Sequence, residues 1–453
     1  MAVTAAAAAI DPSNRAQRRR TVARLALPIV AGMVSQNITN LIDTAMMGFV
    51  GSTALAAVGL ASFANFMCIA FITGLSAGVQ AMVARRKGEG RDAETALPLN
   101  GGLFLSLIIG IPATVILILL APAIYNLLTT DPAVREAGTP YLQMRMIGMV
   151  AIGMNYAFRG FWNGIGLSTV YMRTIIFIHI AQISLAWIFI FGHFGAPALG
   201  ALGAGIGNTT SVFFGTILYA TQAWFLARHH GFLKHLPSRE ALLNILRISI
   251  PASVQQLGIS AGFTVLFVII GRIGTNELAA ASVLLNISQT AFLPGLGLGL
   301  AAASLVGQAL GRGDPADARA WGWQVVRIGM VAMTVIGLPM VVAPRLILAI
   351  FLHDPAVVEL AKTPLQIAGA TIMIEAVAIV LLSALQGAGA TRLTAKIAII
   401  LQWGMFLPLA YVIGPLLGWG LTGVWAWLIA YRFISASVFV AMWESGKWQT
   451  IRV

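Results

Sequence analysis

The first long apolar segment of the chain contains the polar stretch Gln36-Asn37-Ile38-Thr39-Asn40-Leu41-Ile42-Asp43-Thr44-Ala45-Met46-Met47-Gly48. At 3.6 residues per turn, one helix face carries Gln36, Asn40, Asp43 and Met47. An acid at the centre of a membrane helix costs about 2.5–3.5 kcal/mol on insertion scales, which makes Asp43 a functional candidate. The stretch therefore predicts two rigid halves around a cavity that this face lines.

The composition identifies the broad class of the protein. The chain has 453 residues, of which 58% are hydrophobic and only 9% are charged. A soluble globular protein carries about 25% charged residues, so the composition indicates a polytopic membrane protein. The formal net charge is +13, but the cations lie in short loops between apolar spans, which excludes a nucleic-acid-binding face. The single cysteine, Cys68, lies in an apolar run and supports neither a disulfide framework nor a thiolate metal site.

Twelve apolar segments are long enough to be membrane helices, each needing about 20 residues. Cationic clusters such as Arg85-Arg86-Lys87 fall on the side of the N-terminus, and the opposite loops contain few cations. Under the positive-inside rule, this distribution predicts that both termini are cytoplasmic. We expect a multi-pass protein of the bacterial inner (plasma) membrane, and we interpret the N-terminal arginine-rich segment as a mobile cytosolic tail.

The chain is an internal repeat. An offset of 223 residues matches the sequence to itself without a gap over roughly 140 positions, and places Pro28 on Pro251 and Gly74 on Gly297. Each copy has six spans, so the halves are parallel repeats with a substrate site expected between them. The prolines are either hinges or fixed packing kinks. The predicted organisation is a cytosolic tail at 1–24, an N-lobe at 25–227, a cytosolic interlobe linker at 228–243, a C-lobe at 244–443 and a cytosolic tail at 444–453.

Only two of the fifteen acids fall well inside predicted spans, Asp43 and Glu375. The repeat places Asp43 opposite Leu266 and Glu375 opposite Ile152, so each acid exists in one half only. Burial can bring the titration of a carboxyl group towards physiological pH, and such a group can carry a proton or compete with a cationic substrate. We predict both acids as coupling residues. The alternative for Glu375 is a neutral, hydrogen-bonded core acid.

Other polar and adaptable apolar side chains within spans are candidates for contact with a substrate. Each polar one alone is more often a hydrogen bond between helices than a ligand contact. The predicted substrate-binding set is Gln36, Asn40, Met47, Asn155, His179, Gln182, Asn208 and Gln256. No histidine pattern with metal-ligand spacing, no nucleophile elbow and no Walker lysine occurs, so we expect no enzyme activity, metal or cofactor.

The motifs resemble those of the multidrug and toxic compound extrusion (MATE) family. The first-helix signature is carried by Pro28, 41–48 and 51–57, and the fourth- and tenth-helix motifs by Gly160-Phe161-Trp162-Asn163-Gly164-Ile165-Gly166 and Gln386-Gly387-Ala388-Gly389-Ala390-Thr391. The resemblance implies an all-α polytopic membrane protein with twelve transmembrane helices. These would form two six-helix parallel repeats in a V-shaped, two-lobe transporter coupled to H+ or Na+.

The first helix is most similar to the DinF branch of that family, in which the aspartate matching Asp43 is the coupling residue. The fifth-helix Asn and Asp that usually assist it are replaced by Gln182 and Ala186. Glu375 matches an acid that NorM-type members carry in the tenth helix, whereas Ile259 stands near their seventh-helix acid. Since Na+ needs several oxygen ligands and both acid pairs are depleted, protons are the favoured coupling ion.

The function that follows is a secondary active multidrug exporter. It would antiport organic, often cationic and amphipathic compounds against H+. A Na+-coupled exporter of the same family is one alternative. A lipid-linked oligosaccharide flippase of the same superfamily is another, although only Arg159 and Arg432 were expected near or within spans to meet a pyrophosphate. The expected partners are small organic substrates and the lipid bilayer, with no nucleic acid, and we expect a monomer.

Overall fold

The computed structural model of the protein describes residues 15–235, 237–352 and 354–451, and these residues form helices and no strand. The α-helices, in chain order, are α1 Arg15–Val50, α2 Ser52–Gly88, α3 Leu97–Leu128, α4 Pro132–Ile147, α5 Met149–Gly164, α6 Ser168–Phe191, α7 Ala201–Leu226, α8 Arg239–Gly271, α9 Thr275–Gly311, α10 Pro315–Val342, α11 Pro344–Ala349, α12 Pro355–Gly387, α13 Thr391–Ile399, α14 Leu407–Tyr411 and α15 Gly420–Glu444. A π-helical segment at Ile400–Phe406 joins α13 to α14. The prediction of an all-α membrane protein is confirmed.

Eleven helical segments in the described part of the chain are long and apolar enough to cross a membrane. The remaining predicted span is divided at Gly148 into α4 and α5, which have 16 residues each. Its repeat equivalent, α12, runs without a break for 33 residues, and Thr371 stands in place of Gly148. The break at Gly148 thus explains why the structure has eleven long apolar segments where the sequence predicts twelve spans. Glycine has high backbone freedom, which favours such a break.

The duplication is visible in the ends of the helices. Helices α2 and α9 have 37 residues each, and both their first and their last residues are separated by the offset of 223. The carboxylate of Asp131 accepts a hydrogen bond from the amide of Ala133 at 2.9 Å, and Asp354 accepts one from Ala356 at 2.9 Å. These are N-caps, which satisfy an amide left free in the first turn of α4 and of α12.

The chain divides into two compact units at points that differ from the predicted lobe boundaries. One unit consists of Ala31–Ser253, and the other of residues 15–30 together with residues 254–451. The boundaries fall within helices α1 and α8, two residues after Pro28 and Pro251 respectively. The beginning of α1, residues 15–30, therefore belongs to the compact unit formed mainly by the second half of the repeat. The beginning of α8, residues 239–253, belongs to the unit formed mainly by the first half.

Glycines allow this exchange of helix ends. A Cβ at Gly74 of α2 would clash with Ser253 at the end of the exchanged segment of α8. A Cβ at the repeat-equivalent Gly297 of α9 would clash with Val30 of α1. Backbones approach closely where a side chain is absent, which gives these two glycines a packing role in their respective units.

The expected N-terminal tail needs correction. Residues 1–14 lie outside the described part of the chain, but residues 15–24 are the first turns of α1. Val22, Leu25 and Ala26 are buried in an apolar cluster with residues of α9, α10, α12 and α15. The expected linker at 228–243 also contains the beginning of α8, which starts at Arg239. Apolar side chains on one face of the arginine-rich segment, which the tail interpretation overlooked, account for the longer helix.

Candidate coupling site

Asp43 lies on α1 against α6, and its two carboxylate oxygens have different surroundings. The side-chain amide of Gln182 on α6 donates a hydrogen bond to Asp43 Oδ2 at 2.6 Å. Asp43 Oδ1 is buried and accepts no hydrogen bond from the described residues. The guanidinium of Arg145 on α4 is near enough to interact electrostatically with this carboxyl group. A buried oxygen without a donor is costly as a carboxylate, so this atom is suited to binding a proton or a cation.

A chain of polar side chains occupies the preceding turns of α1. Ser35 Oγ lies 2.7 Å from His179 Nδ1, and His179 Nε2 lies 3.0 Å from Gln36 Oε1. The amide of Gln36 in turn donates to Asn40 Oδ1 at 3.2 Å. His179 is buried, whereas Gln36 and Asn40 are exposed. The chain therefore links a buried imidazole to amides that a ligand can reach.

Rotation of one hydroxyl lets this chain accommodate two protonation states of the imidazole. Ser35 Oγ lies 2.8 Å from the carbonyl of Gly32 as well as 2.7 Å from His179 Nδ1. With the hydroxyl donating to Nδ1, a neutral His179 donates from Nε2 to Gln36. With the hydroxyl donating to Gly32, a doubly protonated His179 donates from both ring nitrogens.

The predicted substrate-binding residues separate into several environments. His179, Gln182, Gln36 and Asn40 surround the Asp43 face within one compact unit. Met47 is 0% exposed and packs in the apolar core of that unit, so we remove it from the proposed site.

The amides outside this cluster have their own surroundings. Asn155 joins α5 to α7, donating to the carbonyl of Val212 at 3.1 Å and accepting from Thr216 at 2.9 Å. Asn208 is half-buried on α7 and is not part of the chain that contains His179. Gln256 is half-buried on α8, in the other compact unit. Asn155 is thus engaged in holding helices together, which was the alternative interpretation for each of these amides.

Glu375 on α12 forms an ion pair with Arg432 on α15, with 2.6 Å between Glu375 Oε2 and Arg432 Nη2. Arg432 also donates to the carbonyl of Ala368 at 3.0 Å and to Thr371 Oγ1 at 2.6 Å. The side chain of Arg432 is 7% exposed and that of Glu375 is 27% exposed. A carboxylate with a guanidinium partner differs from the neutral core acid considered from the sequence.

Sequence reasoning missed three contributors to these sites. Ser35 was passed over because it does not lie on the helix face that was chosen around Asp43. Arg145 was overlooked although it falls within a predicted span, and a cation in a span was the signal that could have revealed it. Arg432 is one of the two cations that the sequence places near or within spans, but a single sequence does not show that α12 and α15 bring it to Glu375.

The fold and these sites define a polytopic helical membrane transporter, in which ionisable side chains are held inside duplicated bundles. The chain belongs to the MatE family, whose sequence profile matches residues 28–188 and again residues 251–412. The two matches begin 223 residues apart, which confirms the internal duplication. The protein is accordingly a MATE family transporter and not an enzyme.

Named relatives cover nearly the whole chain. It is 29% identical over 451 residues to the probable multidrug resistance protein NorM of Brucella suis biovar 1 (strain 1330), covering 96% of this chain and 95% of that protein. It is 28% identical over 446 residues to the multidrug resistance protein NorM of Burkholderia vietnamiensis, with 96% and 95% covered. The assignment to the DinF branch stays a prediction, because these names do not specify it.

A solved structure described as the outward-facing conformation of a multidrug resistance MATE family transporter of the MOP superfamily is similar with a TM-score of 0.87. The two chains are 23% identical, and the match covers 95% of this chain and 97% of the other. This likeness supports the fold.

Proposed function

We propose that the protein is a secondary active multidrug exporter that antiports organic, often cationic and amphipathic compounds against H+. The observation that carries this proposal is the buried Asp43 Oδ1 with no donor among the described residues. A proton on Oδ1 removes the charge of the carboxyl group while Gln182 continues to hold Oδ2. The same carboxylate, when deprotonated, attracts a cationic substrate.

The polar chain next to Asp43 supplies the contacts that recognise a substrate. Gln36 and Asn40 are exposed amides, and His179 anchors Gln36 to α6. Amides accept and donate hydrogen bonds without adding charge, which suits a surface that meets many different compounds. Protonation of Asp43 would weaken the attraction for a cation and favour release, so that proton uptake and substrate release are coupled.

Glu375 is the second proposed coupling residue, and to take up a proton it has to leave Arg432. We further propose two cytoplasmic termini, a location in the bacterial inner membrane and a monomeric state. Sodium coupling is the competing mechanism. It requires several oxygen ligands around the ion.

Efflux of the lipophilic cation tetraphenylphosphonium from proteoliposomes tests this function. A proton gradient and a sodium gradient are imposed separately on wild-type protein, Asp43→Asn and the control Glu359→Gln, an exposed acid at the start of α12. We expect proton-driven efflux by the wild type and the control, and none by Asp43→Asn. Unchanged proton-driven efflux by Asp43→Asn would refute the mechanism. Efflux driven by the sodium gradient but not by the proton gradient would identify Na+ as the coupling ion in place of H+.

A further inference from the structure

A strongly basic cleft lies where the beginning of α1 meets the beginning of α10, within one compact unit. Its volume is about 370 Å³. The charged and aromatic side chains that line it are Arg15 and Arg18 of α1 and Arg319, Trp323 and Arg327 of α10. The cleft belongs to the compact unit that does not contain the Asp43 cluster. Neither coupling nor substrate recognition accounts for it.

Two of the four arginines are held by nearby acids. Arg18 pairs with Asp317 at 2.8 Å and lies over the ring of Trp321, with 4.0 Å between the guanidinium carbon and the ring centroid. Arg319 pairs with Glu444, which also accepts a hydrogen bond from Trp323 Nε1 at 2.8 Å. These contacts fix one wall of the cleft and leave little freedom to the side chains that form it.

The other two arginines provide uncompensated charge. Arg15 and Arg327 are exposed, and neither forms an ion pair with an acid among the described residues. Asp317, the acid that neutralises Arg18, also pairs with Arg312 at 2.9 Å. The cleft thus has a surplus of positive charge, which self-repulsion would make unfavourable without an anion.

The repeat does not require these cations. At the offset of 223, Arg319 corresponds to Ala96 and Arg327 to Phe104. Helix α3, which contains Phe104, folds without a basic residue at that position. Arg319 and Arg327 therefore occur in the second half of the repeat only.

The depth of the cleft indicates which anion it fits. Arg327 follows the first residue of α10, Pro315, by twelve residues, a rise of about 18 Å at 1.5 Å per residue. The helix continues from there into an apolar stretch long enough to span a membrane. Trp323 lies one turn before Arg327 on α10. Tryptophan is enriched at membrane interfaces, and long basic side chains near them extend towards the headgroups.

We propose that this cleft binds the phosphate headgroup of an anionic phospholipid, with the acyl chains along the apolar part of α10. Guanidinium groups form paired hydrogen bonds to phosphate oxygens, and basic pockets between transmembrane helices bind anionic headgroups. Arg15 and Arg327 supply the charge, Arg18 and Arg319 are pre-positioned by their acids, and Trp323 lies at the boundary with the acyl chains.

Native mass spectrometry of the purified full chain tests this site. Phosphatidylglycerol and phosphatidylcholine with matched acyl chains are titrated in a neutral detergent, and soluble glycerol 3-phosphate is titrated in parallel. We expect one tight site for phosphatidylglycerol, and a loss of about 25-fold in its affinity in Arg15→Gln/Arg327→Gln, from about fivefold per basic residue. Arg15→Lys/Arg327→Lys should retain the site, as should Arg24→Gln, an exposed arginine of α1 that does not line the cleft.

Several results would overturn the proposal. One is phosphatidylglycerol binding to the double glutamine variant as tightly as to the wild type. Equal loss in Arg24→Gln would show a general charge effect instead of a site. Phosphatidylcholine binding as tightly as phosphatidylglycerol would remove the role of charge, and glycerol 3-phosphate binding as tightly as the lipid would assign the cleft to a soluble phosphate.

Discussion

Arg432 and Glu375 hold each other within the helices α15 and α12, and this pair has a measurable energetic consequence. Removing one partner of a buried ion pair leaves the other charge without compensation. We expect Arg432→Gln or Glu375→Gln to lower the free energy of unfolding by about 2–4 kcal/mol, a value reduced from the fully buried case because Glu375 is 27% exposed. Unfolding by sodium dodecyl sulphate in mixed micelles provides the measurement.

The double variant separates a pair from two independent effects. Glu375→Gln/Arg432→Gln should cost less than the sum of the single changes, because each single change leaves the partner's charge unpaired, whereas the double change leaves no unpaired charge. Additive losses would show that the contact contributes little. Proton-driven efflux by the Glu375→Gln variant, measured in the same preparation, then tests whether Glu375 also acts in coupling.

At the level of single residues, the sequence draws attention to the two intramembrane acids more directly than to their neighbours. Asp43 and Glu375 could be identified because a carboxyl group in an apolar span is costly wherever the helix faces. Met47 could not be placed correctly, since helical periodicity groups it with Asp43 but does not show that α1 turns that part of the face into the core. Arg432 required the contact between two helices that are distant in sequence.

At the scale of one helix, we expect alanine to have opposite effects on stability at two glycines. Gly148 lies at the break between α4 and α5, whereas Gly138 lies within α4 against Tyr125. A Cβ at Gly148 would meet its nearest neighbour, the Arg145 carbonyl, at 3.3 Å, and its φ of −71° is compatible with alanine. A Cβ at Gly138 would clash with the ring of Tyr125, whose hydroxyl donates to the carbonyl of Ala57 at 2.7 Å.

We therefore expect Gly148→Ala to raise the free energy of unfolding by about 0.5–1 kcal/mol, because alanine restricts the unfolded chain. Gly138→Ala should lower it by about 1–3 kcal/mol through overpacking. Mixed-micelle unfolding compares the two variants directly, and each serves as the control of the other. A loss of stability in both would mean that the break at Gly148 needs glycine itself.

The turn between α7 and α8 contains a buried histidine outside the membrane helices. Burial lowers the pKa of His230 below its usual value of 6.5, although a hydrogen bond between His230 Nδ1 and the Asp92 carbonyl at 2.9 Å partly opposes this effect. The unfolded chain thus binds a proton at higher pH than the folded protein does. Stability from this group is present above pH 6.5 and is lost as the pH falls below it.

We expect the melting temperature of the wild type to decrease between pH 7.5 and pH 5.5, and we expect His230→Gln to show a smaller decrease. Glutamine can still donate to the Asp92 carbonyl but does not titrate. His229→Gln, an exposed neighbour, is the control and should retain the wild-type pH dependence. Identical pH profiles for the wild type and His230→Gln would contradict this assignment.

Helix boundaries illustrate which features sequence patterns capture. The aspartate–proline pairs at 131–132 and 354–355 are separated by the repeat offset of 223, and both aspartates cap the following helix. The extension of α1 back to Arg15 was missed, because an arginine-rich segment is typical of a solvated tail and its apolar residues were too few to mark a core face. The aspartate–proline sequence pattern therefore agrees with the observed N-caps. The start of α1, in contrast, depends on the burial of its apolar side chains, which the sequence pattern does not show.

For the whole molecule, the most informative feature is that both unit boundaries follow a proline by two residues. The repeat predicted that Pro28 and Pro251 are equivalent. The repeat did not predict that α1 and α8 pass from one compact unit to the other directly after these prolines. Sequence similarity identifies which segments were duplicated, whereas the compact units are defined by which segments pack together. Since a proline lacks the amide that bonds four residues back, bending at these points breaks fewer hydrogen bonds than bending elsewhere.

If the two prolines are hinges, alanine in their place should stiffen the helices without harming the fold. Pro28→Ala and Pro251→Ala each restore a backbone hydrogen bond, worth up to about 3 kcal/mol in a helix interior. We expect the substrate efflux rate in proteoliposomes to fall while the melting temperature stays equal or rises. Pro112→Ala, a proline inside α3 and away from either boundary, should leave the rate unchanged. Wild-type rates in both hinge variants would instead identify Pro28 and Pro251 as fixed packing kinks.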